Sequence, residues 1–251
     1  MSLTSRRTFT KEALGSLLTF SFVDLLVHSE ALAADVQPIA EQWLTSVHEL
    51  ALDVKDQRIK QLAWQEKIEE LFARVPMQDF LRLIDFDRLA KEVKLPESGA
   101  RSLRPSFSEV AGIPTKLAFG RQIFALGKGR SVVPHGHSNM ATAFLVLRGD
   151  LRGRHYDRVE DQPEHFVIKP TIDRRFTVGE CSTISDFKDN VHWFQASSDS
   201  AFIFNIHVMG VNPGAAEGTG RLYLDPNGEQ LSGGLIRARR IDYAEAHRLY
   251  G

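Results

Sequence analysis

The chain has a single cysteine, Cys181, among 251 residues. One thiol excludes an internal disulfide framework. Nothing near it lowers a thiol pKa, so Cys181 reads as a buried structural residue. An excess of charge of one sign is lacking too: 31 Lys and Arg face 32 Asp and Glu, for a formal net charge of -1. Without a basic surplus or a long basic run, neither nucleic acid nor an anionic membrane surface is an expected partner. No apolar stretch approaches the roughly 20 nearly uninterrupted residues of a stable membrane span. Internal repeats and low-complexity segments are missing as well. What is present is a chain with 43% hydrophobic residues, long enough for one barrel-sized core and a further element.

The first 33 residues stand apart from the fold. The run Ser5-Arg-Arg-Thr-Phe-Thr-Lys11 resembles the twin-arginine export signal. A modest apolar segment, Leu14 to Val27, follows it, and Ala31-Leu32-Ala33 supplies small residues for cleavage. The resemblance implies a periplasmic or secreted protein whose mature chain starts near Ala34. The alternative is a retained amphipathic helix, since Asp24 and His28 interrupt or flank the apolar segment.

Residues 34–105 read as a helical domain and its linker. Val36, Ile39, Ala40, Trp43, Leu44, Val47, Leu50, Ala51 and Val54 recur at three- and four-residue steps. A second such series runs from Ile59 to Val75. A third, after Pro76, takes in Met77, Phe80, Leu81, Ile84 and Leu89. Three helices with stripes this wide must pack on one another or on a sheet. Leu95 to Pro105, with two prolines and a glycine, reads as the linker.

From residue 106 to 251 the pattern turns to short strands: Lys116–Leu126, Ala143–Arg148, Phe166–Lys169, Phe202–Met209 and Arg221–Leu224, with Asp225-Pro-Asn-Gly228 as a tight turn. Evenly spaced short strands point to a barrel or sandwich. Asp242 to Tyr250 reads as a short terminal helix. Arg237, Arg239 and Arg240 form either a solvated strand face or a carboxylate clamp.

The chemistry concentrates at His135 and His137. Side chains at i and i+2 on extended backbone share one face, so the two imidazoles can meet one metal ion. A third donor from elsewhere would complete a facial set with open positions.

The run Gly129 to Gly149, with His135-Gly-His137 between its glycines, resembles the first motif of the cupin superfamily. Every spacing fits, but Thr142 holds the position of the acidic ligand. His192, in Asp189-Asn-Val-His-Trp-Phe-Gln195, matches the histidine of the second cupin motif, whose usual Pro, Gly and Asn positions hold Phe187, Asp189 and Ala196. The resemblance covers residues 108–213. It implies an all-β jelly-roll barrel after the helical region, α+β overall, with His135, His137 and His192 as metal ligands. Thr142 is too weak a donor to replace a carboxylate and is assigned to support or packing. Imidazole donors suit iron, zinc, nickel and copper alike and leave manganese open.

A three-histidine cupin resembles the thiol dioxygenase branch, the cysteine dioxygenases. This implies Fe(II), dioxygen and a small anionic substrate. Without a carboxylate ligand, a divalent ion keeps its full +2 and draws anions more strongly. His207 matches the histidine of that family's Ser-x-His-x-Tyr network, while Asn205 and Met209 replace its Ser and Tyr. Arg121 is the nearest candidate for the family's substrate-carboxylate arginine, on imperfect spacing. Ile203, Asn205, His207 and Met209 share one strand face, expected to look into the barrel. The opposite face of Phe202, Phe204, Ile206 and Val208 needs a cover, and the helical domain is the candidate. For His207 the alternative is a hydrogen-bonded core histidine. His155 and Tyr156 line the pocket or sit on the surface, and His48, His165 and His247 are expected to face solvent. The leading functional expectation is an exported non-haem Fe(II) dioxygenase; the alternative is a non-catalytic metal- or ligand-binding cupin module.

Overall fold

The computed structural model describes residues 29–107, 114, 116–215 and 218–251. The run Ser5–Lys11 that resembles an export signal lies outside the described residues. Four helices come first: α1 (Ser29–Lys55), α2 (Gln61–Ala73), α3 (Met77–Leu83) and α4 (Phe86–Glu92). The third helical series is thus two helices rather than one. Asp85 between them takes a left-handed φ of 50°, which ends α3 and redirects the chain while the apolar period runs on.

Eleven strands follow among the described residues: β1 (Arg101–Leu103), β2 (Gly120–Gly127), β3 (Ser131–Ser138), β4 (Met140–Arg148), β5 (Leu151–Asp161), β6 (His165–Phe176), β7 (Cys181–Ile184), β8 (Val191–Ala196), β9 (Ser200–Met209), β10 (Gly220–Gln230) and β11 (Ile236–Ile241). A last helix, α5 (Tyr243–Tyr250), is capped by the Asp242 carboxylate accepting from the Glu245 N–H. One sheet orders its strands β1-β2-β9-β4-β7. The other closes on itself as β10-β11-β6-β5-β8-β3, and every pairing is antiparallel. The supposed linker supplies β1. The supposed turn at Asp225–Gly228 lies inside β10, where a register shift between Asp225 and Glu229 absorbs the extra residues opposite β11.

Three apolar clusters organise these elements, and two of them position the site. The outer face of the five-stranded sheet, including Phe202, Phe204, Ile206 and Val208, packs against Trp43, Leu44, Ile68, Phe80 and Phe86 of the helices. Edge-to-face ring pairs lock the contact: Phe80 on Phe204 at 4.9 Å and Phe86 on Phe202 at 5.2 Å. The helical region therefore covers this face, as the alternation along β9 requires. Between the two sheets Phe124, Phe144, Val146 and Ile203 meet Val132, Leu151, Phe176 and Phe194. That inner layer closes one part of the interior with apolar side chains and leaves the rest to polar ones.

Several exposure expectations are corrected. His155 and Tyr156 are both buried. His48, His165 and His247 are half-buried rather than solvent-facing; His48 Nδ1 accepts the Ala118 N–H at 3.1 Å. Cys181 is half-buried, and desolvation pushes its thiol up to about 11, which makes it unreactive. Arg237, Arg239 and Arg240 reach Glu229, Glu245 and Asp161, so they serve internal ion pairs on a partly solvated surface.

Candidate metal centre

His135 and His137 lie on β3, all eight residues of which are buried. Pro134 just before them cannot donate to a ladder, and pairing with β8 slips between Val132 and His135. The slip resets the phase so that His135 stands directly opposite His192. Residue 136 must be glycine for a separate reason: a Cβ there would lie 2.7 Å from Asn190 Oδ1. Asn190 uses the close approach to hold the strand. Its Nδ2 donates to the carbonyls of His137 and Ser185, each at 2.9 Å, and its Oδ1 accepts from the His137 N–H. The turn before β8 is thereby pinned to β3, two residues from His192.

The three imidazoles converge. Ring centroids of His135 and His192 are 4.2 Å apart, and His137 lies 5.0 Å from each. The donor atoms of all three lie within 4.8 Å of one another, a spacing that one ion can bridge. The backbone sets the tautomers. His135 Nδ1 donates to the Val133 carbonyl at 2.7 Å, and His192 Nδ1 donates to the Asn190 carbonyl at 3.3 Å. In both rings Nε2 is left as the unprotonated, metal-facing atom. Thr142 Oγ1 lies 3.2 Å from His137 Nδ1, and a hydroxyl that accepts there leaves the Nε2 of the third ring free in the same way. The residue at the acidic position thus braces a ligand from behind.

Burial favours the neutral form that a metal needs. Desolvation, aided by the charge of Arg221, pushes His135 down to about 3. His137 and His192 fall well below the ordinary histidine value, first through burial and then through their neighbours. The Nε2 atoms of His137 and His192 are fully buried and make no hydrogen bond. A buried acceptor without a partner costs about 1–3 kcal/mol, and a bound cation would satisfy both atoms at once. The donor set fits a divalent metal.

A cavity of about 580 Å³ opens onto this centre, with Phe124, Phe144, Met140 and Met209 among its apolar walls. His207 and Asn205 line it too, as the shared face on β9 requires. His207 stands opposite Gly120 on β2, where a Cβ would lie 2.1 Å from its Nε2, so the glycine makes room for the ring. Burial lowers the His207 pKa, with a smaller contribution from Arg221. Asn205 is engaged elsewhere: its Oδ1 accepts from Gln122, and its Nδ2 donates to the Ala143 and Ile206 carbonyls.

Arg121 reaches the cavity lining from β2, but its register partner is Ile206 on the helix-facing side of the sheet. Its Nε donates to the Pro105 carbonyl at 3.1 Å, and its guanidinium lies 5.1 Å from the Phe107 ring. The arginine aligned with the metal centre is Arg221, the register partner of His137 on β10. Sequence reasoning missed it. Only the closure of β10 onto β3, a pairing across more than eighty residues, brings it there.

His155 is the other unforeseen feature. It is the register partner of His192 on β5, with its ring 6.1 Å from that of His192 and 5.5 Å from that of Phe194. Both its nitrogens are buried without a hydrogen bond, and burial pushes it down to about 3.

No family model matches the chain, and no curated protein matches it either. Solved structures do. The chain is similar to a cupin superfamily protein from Desulfitobacterium hafniense DCB-2, at 13% identity and a TM-score of 0.32, over 48% of this chain and 87% of that one. It is also similar to a recombinant oxalate oxidase in complex with glycolate, at 16% identity and a TM-score of 0.34, over 51% and 56% of the two chains. Similarity extends to procruciferin, an 11S globulin from Brassica napus, at 14% identity and a TM-score of 0.35, over 53% of this chain. The match spans 29% of the globulin's own length. At this level of overlap the likeness says nothing of function, which has to be read from the residues of the site.

Proposed function

We propose that the protein is an exported, metal-dependent cupin in which His135, His137 and His192 hold Fe(II), and that it is a dioxygenase acting on a small anionic substrate. The observation that carries this reading is the convergence of three imidazoles, two with tautomers fixed from behind by the Val133 and Asn190 carbonyls and the third braced by the Thr142 hydroxyl. Such a ring of neutral donors leaves open coordination positions facing a cavity. Bound there, the metal would supply redox chemistry and bring the substrate and dioxygen together.

The chain's own residues do the rest. Phe144 packs 5.2 Å from the His192 ring and keeps water from that side of the centre. His207, on the cavity wall and neutral at physiological pH, is placed to accept a proton from a bound substrate or to orient it. Thr142 holds His137, and Asn190 holds the β3 backbone. Because Asn205 and Met209 replace two members of the thiol dioxygenase network, small thiols are expected to be poor substrates.

The test is elemental analysis of protein purified without chelators, followed by oxygen-uptake screening with small thiols, β-diketones and aromatic acids. Stoichiometric iron with uptake on one substrate class supports the proposal. Iron-free protein, or stoichiometric zinc with no uptake, favours a non-catalytic binding module. Export is tested separately. Replacing Arg6 and Arg7 by Lys strands the protein in the cytoplasm if the amino-terminal run is a twin-arginine signal, and unchanged periplasmic delivery refutes that role.

A further inference from the structure

The charges around the cavity are one-sided. Arg104, Arg121 and Arg221 line it, and no Asp or Glu does so among the described residues. Elsewhere in the barrel arginines are neutralised: Arg152, Arg174 and Arg175 each reach a carboxylate at 2.6 Å. Among the described residues, neither Arg104 nor Arg221 has such a partner, and both are exposed at the cavity. A divalent ion on three neutral imidazoles would add a further +2 with no carboxylate to offset it. A monoanion bound at the metal leaves most of this charge unbalanced.

We propose, building on the metal-dependent reading above, that the substrate carries two acidic groups, one reaching the histidine centre and the second held by Arg221 at the mouth, with Arg104 adding to the field. Arg221 is the direct register partner of His137. The Cβ atoms of such a pair lie roughly 5 Å apart. A guanidinium extending from that point meets the second acid of a molecule about four or five carbons long. Its planar donor fork suits a carboxylate or phosphate held bidentately. Arg121 is the weaker candidate, since Pro105 and Phe107 already engage its guanidinium. The apolar walls of Phe124, Phe144, Met140 and Met209 offer contact to a short hydrocarbon spacer between the two acids.

The test is calorimetric titration of the full chain loaded with Zn(II), which is redox-silent, at fixed ionic strength. Succinate and glutarate are compared with butyrate and valerate, with metal content measured on the same samples. Succinate or glutarate is expected to bind at least about ten-fold more tightly than the monoacid of equal length. Arg221→Gln should remove most of that preference while leaving metal content and monoacid binding unchanged. Arg121→Gln should keep the preference. Equal binding of mono- and diacids by metal-loaded protein overturns the proposal and leaves the metal reading standing, as does a preference that survives Arg221→Gln. Failure to retain zinc removes both.

Discussion

The two faces of β9 are built from one ten-residue strand and have opposite fates. Outward, Phe202, Phe204, Ile206 and Val208 are uniformly apolar and are sealed beneath the helices. Inward, the residues change character along the strand: Ile203 belongs to the packed layer between the sheets, Asn205 and His207 line the cavity, and Met209 is 53% exposed at its mouth. The outer face is there to be covered, and its identity matters only as volume and shape. The inner face is a gradient from core to solvent, and each position does something different. Stability should therefore reside on one side of this strand and chemistry on the other.

The comparison breaks or holds first at Phe204. It is fully buried and rests on Phe80 at 4.9 Å. Phe204→Ala should destabilise the protein by about 3–5 kcal/mol through lost burial and the cavity left behind. Metal content per folded molecule should stay intact. Urea unfolding combined with elemental analysis separates the two, and loss of metal in the folded fraction would show that the faces are coupled.

Next in size is the acid limb. His155 is held near 3 in the folded protein, whereas an unfolded chain titrates it near the ordinary value of about 6.5. Between those values the unfolded state binds the proton and the native state does not, so stability falls as pH falls. The loss from this one residue amounts to about 3 kcal/mol by pH 4. His155→Phe, placed between Phe176 and Phe194, should remove that share of the slope. Denaturant midpoints of metal-free protein at pH 7.5, 6, 5 and 4 measure it. An unchanged slope would mean that His155 is protonated or hydrogen-bonded in solution.

How much of this could be read in advance follows from the range of each interaction. The faces of β9 were legible because alternation is local, and so was His135-Gly-His137, whose spacing lies within a single strand. His192 was found through a motif match, which stands in for the β3–β8 pairing that seats it. Arg221 and His155 were invisible in their roles because both depend on which strands become neighbours. The Asp225-Pro-Asn-Gly228 run misled for the opposite reason. Its local turn chemistry is real, but pairing with β11 on both sides of it absorbs it into a strand as an irregularity. Asp85 shows the same limit in the helices, where a left-handed residue breaks a pattern that hydrophobic period alone carries through.

A smaller effect is expected at Thr142, the register partner of His207 on β4. Thr142→Val keeps the shape and removes the hydroxyl that faces His137 Nδ1. Support of this kind is commonly worth about ten- to a hundred-fold in metal affinity. Competition with a chromogenic chelator measures it, and an affinity within two-fold of the parent would reduce Thr142 to packing.

The least effect on stability, and the sharpest test of the two-faced strand, belongs to His207. It is partly open to the cavity, so His207→Gln should shift the unfolding free energy by less than about 1 kcal/mol. Metal content should remain stoichiometric, because His207 lies outside the cluster of His135, His137 and His192. If the ring handles a proton or orients the bound substrate, turnover should fall by about ten- to a hundred-fold or more. The limb of the pH–rate profile reporting its titration should vanish as well. Gly120→Ala probes the same ring without touching its chemistry. The added methyl would lie 2.1 Å from His207 Nε2 and must displace it, since the glycine's place in the β2–β9 ladder leaves the backbone little freedom to yield. That variant should lower turnover while keeping the pH limb, because the imidazole is moved rather than removed. A loss of stability in His207→Gln that matches its loss of activity would instead make this histidine a core residue and return the inner face of β9 to packing.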